Sequence, residues 1–425
     1  MSDTPNNKIQ KLQNVHSYTK LSKDFYIGAI RVLTQTYIPK WKGEDEAYDI
    51  RLATTKFVNL YSPIIDSIVG MVTKKKPTIK SYDSINLEDI DLKNNSIYAF
   101  IKSTIKQSLI QGLVFTAVET DTGKNRSYAK NYKYDQLCSY KIKNNVLTQI
   151  VFKETIEVEV GKFGAKEQYR YTVFSVGGGS IWYSDSENEV LTEKGTWENS
   201  LKEIPIIATI TGKELSEYEV IPKFYDIALM NKVHVNMNSN LANILNVVSN
   251  PVAMFFGELK EGILTIGVKD ALVFKDKKTE GAEYLEAKGY GIAKIQGDIK
   301  ETELQIDKLT FNMLVSDDSK TTIDAKQNQS KNTSFLNDVA LEVESNFIKI
   351  LNWMLELENK QIPSDATFEM NKDFDLVLMD IETAYKLRMA NEISRETFYY
   401  VWKNGKLPKD FTIESENQKI ERDTI

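Results

Sequence analysis

One cysteine, Cys138, and two histidines, His16 and His234, serve a chain of 425 residues. A lone thiol excludes an intrachain disulfide and a cysteine-rich zinc site, and two histidines exclude a histidine-based metal cluster of the usual composition. No uncharged apolar run of about 18 residues occurs, so no membrane-spanning helix is expected. The first ten residues, MSDTPNNKIQ, lack the apolar centre of a secretory signal. Together these absences predict a chain used in a cytoplasm, or inside something assembled there. Catalytic signatures are missing too. There is no GxSxG and no HExxH, and neither histidine has a triad-like spacing, so no catalytic, cofactor-binding or metal-binding residue is assigned. Asp317, Asp318 and Asp324 come nearest to a magnesium site, but hard cations need carboxylates converging from several elements rather than from one lysine-rich loop.

What is present is an ordinary globular composition, 41% hydrophobic and 27% charged, in a length that suits about two or three domains. The net charge of −6 argues against a surface that grips nucleic acid throughout, though not against one that nucleic acid slides past.

The stretch YEVIPKFYDIALMNKVHVNMNSNLANILNVVSNPVAMFFG reads as one long helix, entered at Pro222 and stopped by Asn250 and Pro251. Met230, Val233, Met237, Leu241, Ile244 and Val248 recur at three- and four-residue steps and predict an apolar stripe for a subunit interface. The flank is polar yet uncharged, with Asn231, Asn236, Asn238, Ser239, Asn240, Asn243 and Asn246. Asparagine is a mediocre helix former, so such a flank costs stability unless it is used. The expectation is that these amides face adjacent subunits or a hydrated channel. His234, beside the stripe, reads as a packed or interfacial histidine.

Elsewhere the periodicity predicts a helix over 20–37 and another through Phe57, Leu60, Ile64, Ile68 and Val72, with a kink or restart at Pro63. Lys74, Lys75 and Lys76 then read as a helix stop rather than a phosphate patch. A helix over 97–110 is capped by Gly112 and leads into the strand LVFTAVETD. Residues 121–145 read as polar loop, 146–210 as strands, and Gly177 to Gly179 as a hairpin turn, because no helix or lysine follows as a phosphate loop requires. A compact α+β segment over 253–296 precedes a helix over 298–315. The polar run SDDSKTTIDAKQNQSKN follows, and then a strong helix from Ser334. A strand, two short helices with Ser394 as a cap, and a fraying tail complete an α+β chain.

The order of these parts resembles the portal proteins of tailed bacteriophages from about residue 20 onward. YIPKWKGEDEAYDIRLATTKFVNLYSPIIDSIVGMVTKKKP is similar to a proline, glycine-glutamate, tyrosine and arginine pattern of that family. IPKFYDIALMNKVHVNMNSNLANILNVV resembles its stem helix, with asparagine at Asn240 where the family has aspartate. AEYLEAKGYGIAKIQGDIKETELQIDKL and SKTTIDAKQNQSKNTSFLNDVALEVESNFIKILNWM resemble the clip exit, second stem helix and following long helix. FEMNKDFDL and ISRETFYYVWKNGKLPKD resemble its C-terminal strand and helix pair.

The resemblance implies a flexible N-terminal segment over 1–19, a mixed α/β wing over 20–215 and 334–362, a stem over 216–250 and 298–315, and a small α+β clip over 251–297. A tunnel loop over 316–333 and a helical C-terminal crown over 363–425 complete the division. It implies Lys320, Lys326, Gln327, Asn328, Gln329 and Lys331 as channel lining. It implies a dodecameric ring at one capsid vertex of a virion assembled in bacterial cytoplasm. Double-stranded DNA would pass through it, and the terminase large subunit, a head-tail adaptor, capsid and scaffold proteins would be its partners, with no membrane. The alternatives are another virion component such as a head-tail adaptor, or an enzyme acting on nucleic acid through Asp317, Asp318 and Asp324.

Overall fold

The computed structural model describes residues 4–5, 9–44, 46–121, 123–124, 126–186, 191–249, 252–256, 281–285, 291–314, 334–372, 374, 381–404, 408 and 411–423. Its N-terminal part is helical: α1 (Gln10–Ile27), α2 (Ala29–Val32), α3 (Glu46–Thr54), α4 (Ser62–Val72) and α5 (Ile97–Gln111). The helix expected over 20–37 is thus earlier and broken. Gly28 adopts φ 96°, a left-handed conformation that glycine takes without steric cost, and its N–H donates to Asp24 O to close the first helix. Pro63 marks a start and not a kink, because a ring nitrogen without N–H is harmless in the first turn, and 57–60 is not helical. At the end of α5, Gly112 has φ 91° and is the C-cap that the sequence predicts. A Cβ there would lie 3.0 Å from Val220 and 3.1 Å from the Pro222 nitrogen.

Two antiparallel sheets follow. Strands β2 (Leu113–Asp121), β3 (Arg126–Lys133) and β9 (Ile206–Ile210) form one, in the order β3-β2-β9. The other is a meander of β4 (Leu137–Lys143), β5 (Val146–Val160), β6 (Gly164–Ser175), β7 (Gly178–Ser184) and β8 (Thr192–Glu198). Phe115, Tyr132, Phe152 and Phe174 fill the space between them, with Tyr132 stacked on Phe152 at 4.3 Å. The stretch expected as a polar loop is therefore mostly strand. Its inward residues include the small Ser127 and Ala129, which a count of large apolar side chains does not register. The hairpin turn expected at Gly177 to Gly179 lies earlier, at Val176 and Gly177, and joins β6 to β7; Gly178 and Gly179 belong to β7, and Gly179 faces the Trp197 ring.

Short strands β10 (Lys213–Ser216) and β11 (Glu219–Ile221) lead into α6 (Tyr225–Ser249), the expected long helix, roughly 37 Å at about 1.5 Å per residue. Strands β12 (Val252–Phe256) and β13 (Gly281–Leu285) pair antiparallel, and α7 (Ile292–Leu314) returns, beginning before the expected boundary at 298. Helix α8 (Ser334–Leu357), the strong helix expected from Ser334, buries Leu336, Val339, Val343, Phe347, Ile350 and Leu351. It joins the main core with α1, α4, α5 and α6. Strand β14 (Thr367–Glu369) pairs with β1 (Thr78–Lys80), bringing distant parts of the chain together.

The C-terminal helices are α9 (Ile381–Met389), α10 (Arg395–Asn404) and α11 (Ile413–Asp423). The tail expected to fray is helical, because buried Glu416 accepts from the Ser394 N–H and from the Thr397 hydroxyl at 2.8 Å. Ser394 also accepts from the Thr397 N–H at 3.1 Å, the cap read from the sequence. Among the described residues no helix is long and apolar enough to cross a membrane.

Candidate assembly interface

Helices α6 and α7 run antiparallel, since His234 meets Glu303 at 3.0 Å while Met237, one turn on, meets Thr302 at 3.8 Å. His234 is fully buried, and Asn238 lies 3.3 Å from its Nδ1, so the imidazole is a packed group between two helices, as the sequence suggests. Helix α7 turns Ile299, Thr302 and Ile306 inward and leaves charged residues outside, the arrangement a 3.6-residue period produces.

The polar flank of α6 has a different role from the one expected. Asn231 accepts from the Leu60 N–H and donates to Val58 O, both at 3.0 Å. Asn236 donates to Tyr37 O at 3.0 Å. Ser239 accepts from Arg51 Nη1 at 2.7 Å. Amide and hydroxyl groups can satisfy irregular backbone without bringing in charge, so these residues dock the N-terminal segment onto α6 within one chain. Asn231 and Ser239 are thus buried within the chain, and Asn236 is half-buried against the Tyr37 carbonyl.

Arg51 completes that dock. It is 2% exposed, ion-paired through Nε and Nη2 to Glu44, and donates to Pro39 O at 2.8 Å. Its guanidinium lies 4.1 Å above the Trp41 ring, and Tyr48 donates to Ile38 O at 2.9 Å. Hydrogen bonds from Arg51 hold the Glu44 carboxyl below the usual carboxylate range. Glu44, Tyr48 and Arg51 thus converge in space as one clamp, which the sequence contained but spacing alone could not assemble.

The predicted interface stripe lies partly under α7 and partly toward open solvent. Met230, Met237, Leu241, Ile244 and Val248 are half-buried, with Met237 under α7, and Val233 is 45% exposed. Leu229 and Leu245 on α6 and Leu304 on α7, the last 60% exposed, extend the apolar surface and were not singled out by the stripe. A continuous helical period does not reveal which of two apolar edges the partner helix covers. Lys320, Lys326, Gln327, Asn328, Gln329, Lys331 and the three aspartates Asp317, Asp318 and Asp324 lie outside the described residues.

Residues 223–357 match the family model described as a domain of unknown function (DUF4055), a segment that takes in α6, α7 and α8. No curated protein matches the chain. Among solved structures it is similar to a chain of the "Virion of native gene transfer agent (GTA) particle", with 12% identity, 86% of this chain and 92% of that chain covered, and a TM-score of 0.40. It is also similar to a chain of the "Neck of empty GTA particle computed with C6 symmetry", at 10% identity, 86% and 92% coverage and a TM-score of 0.42. A third is the "Neck of native GTA particle computed with C12 symmetry", at 10% identity, 81% and 89% coverage and a TM-score of 0.38.

Proposed function

We propose that this chain is a portal subunit, one copy of a closed ring at a single capsid vertex through which double-stranded DNA is packaged and ejected. The ring serves as the docking site for the terminase large subunit and for head-tail connector proteins. One observation carries the reading. Two long antiparallel helices, joined through a paired β-ribbon, leave the large apolar side chains of Leu229, Val233, Leu245 and Leu304 open to solvent. A cyclic assembly needs two different complementary faces per subunit, and exposed apolar side chains on both helices of the pair are suited to such contacts. The ordered resemblance along the sequence supplies the function of the ring.

In this reading α6 and α7 form the stem, and the segment between them forms the clip. Residues 316–333 line the channel, with Lys320, Lys326 and Lys331 as transient phosphate contacts among the neutral Gln327, Asn328 and Gln329. A conduit must release its cargo, which suits scattered lysines on a chain of net charge −6.

Mass photometry and electron microscopy of the purified protein test the proposal: rings of one size are expected, and a strict monomer at every salt concentration overturns it. Rings located at the joint but outside the capsid shell would make the protein a head-tail adaptor instead. Replacing Lys320, Lys326 and Lys331 together by Gln is expected to leave ring mass unchanged and to reduce DNA packaging. Failure of those variants to form rings would move the segment from channel to subunit interface.

A further inference from the structure

We propose that the β5–β6 hairpin tip of one copy inserts Phe163 into the cavity between the two sheets of the next copy, with Lys162 pairing with Glu198 at its rim. The inference rests on the ring reading and adds a second, more peripheral contact to it.

The hairpin is far longer than its support. Strand β4 pairs with β5 only as far as Phe152, and β7 pairs with β6 only from Tyr169 onward. Residues 156–160 and 164–168 therefore pair only with each other among the described strands. An isolated two-stranded ribbon is marginal in water, and here Glu157 stands directly opposite Glu167, a like-charge pair that weakens it further. The other face carries Ile156, Val158 and Val160, and the turn presents Phe163, 94% exposed, with Lys162 5.4 Å from its ring. A ribbon of this kind gains order when its tip is held.

The receiving site is a cavity of about 550 Å³ walled by Tyr128, Tyr132, Trp197 and Leu357, with Thr196 and Glu198 among its lining residues. Its inner charges are satisfied. Glu119 accepts from the hydroxyls of Tyr128 and Tyr132, while Lys130 and Arg170 both engage Glu154, at 2.8 and 2.7 Å. Burial pushes the Lys130 ammonium down, and the two cations hold the Glu154 carboxyl below its usual range despite burial that would raise it. With those charges paired, the walls offer ring faces and suit an aromatic plate rather than a small ion. Glu198 is exposed and makes no ion pair among the described residues, which matches a lysine adjacent to the entering ring.

The chain cannot fill its own cavity. Arg170 forms part of the cavity wall, and the strand runs straight from there to the turn, so the tip stands about 20 Å away at roughly 3.3 Å per residue. A second copy, set beside the first by a rotation, can supply it.

The test uses the full chain carrying Lys162→Cys and Thr196→Cys, which keeps the inserting Phe163, treated with a short bis-maleimide; native Cys138 is buried. A denaturing gel is expected to show a ladder of linked subunits that neither single variant gives. Intact rings without a ladder overturn this inference alone, whereas absence of rings removes the ring reading and this contact with it. As an independent arm, Lys162→Glu is expected to lower the fraction assembled, and adding Glu198→Lys to restore it. No restoration overturns the pairing.

Discussion

Asn231 donates and accepts at once, and it is the side chain on which the join between α6 and the N-terminal segment most plainly depends. Replacing it by Ala leaves the Leu60 N–H and Val58 O without their partner. Asn231→Ala is expected to lower stability by about 1–3 kcal/mol, read from urea unfolding followed by circular dichroism. Asn240, exposed on the same helix, makes no such bond among the described residues. Asn240→Ala should be neutral or raise stability by about 0.5 kcal/mol through helix propensity. Glu44 allows a pH test. Its carboxyl is lowered by the fold, so its contribution is complete above the unfolded carboxylate value of about 4.3 and is lost as pH falls through the lower folded value. Glu44→Gln is therefore expected to melt earlier than the native chain at pH 7, and the gap should narrow below about pH 4. A gap that stays constant across this range would remove the ionised pair as its cause.

The elements themselves depend on a few close approaches. A Cβ at Gly179 would lie 2.3 Å from the Trp197 ring and from Val173 O, so two neighbouring strands would have to shift. Gly179→Ala is expected to cost about 1–3 kcal/mol, the range for forcing atoms into packed space, while Gly195→Ala, which meets nothing within 4 Å, should leave the melting temperature unchanged. The long helices and the strand meander follow their sequence periods closely. The boundaries that moved, at Gly28, Pro63 and Ile292, are governed by backbone conformation or by packing against a distant element. β3 differs because its inward residues are partly small and its polar ones are paired in the core, so no hydrophobic alternation announces it.

At the scale of the whole molecule the exposed apolar side chains of α6 and α7, Val233 and Leu304 among them, are the surface that the ring reading gives to neighbouring copies. Val233→Asp combined with Leu304→Asp places charges at two exposed sites that the chain does not cover. The double variant is expected to keep its circular dichroism spectrum and melting temperature yet sediment as a monomer. Rings that persist at native mass in that variant would place the subunit interface elsewhere.

Local periodicity determined by itself that a long helix spans the region after Pro222, that a second and a third follow, and that strands lie at 113–121 and between 146 and 210, because side-chain spacing and turn chemistry act within a few residues. The same local information predicted the Ser394 and Gly112 caps. Only the tertiary structure decided what the asparagines of α6 do, since their partners at Val58, Leu60 and Tyr37 lie more than 170 residues away in sequence. It also decided which edge of the apolar stripe is covered and which is open, because that depends on where α7 returns. Contacts between distant segments are set by packing and by the demand that buried polar groups be paired, and neither is written in the spacing of any one segment.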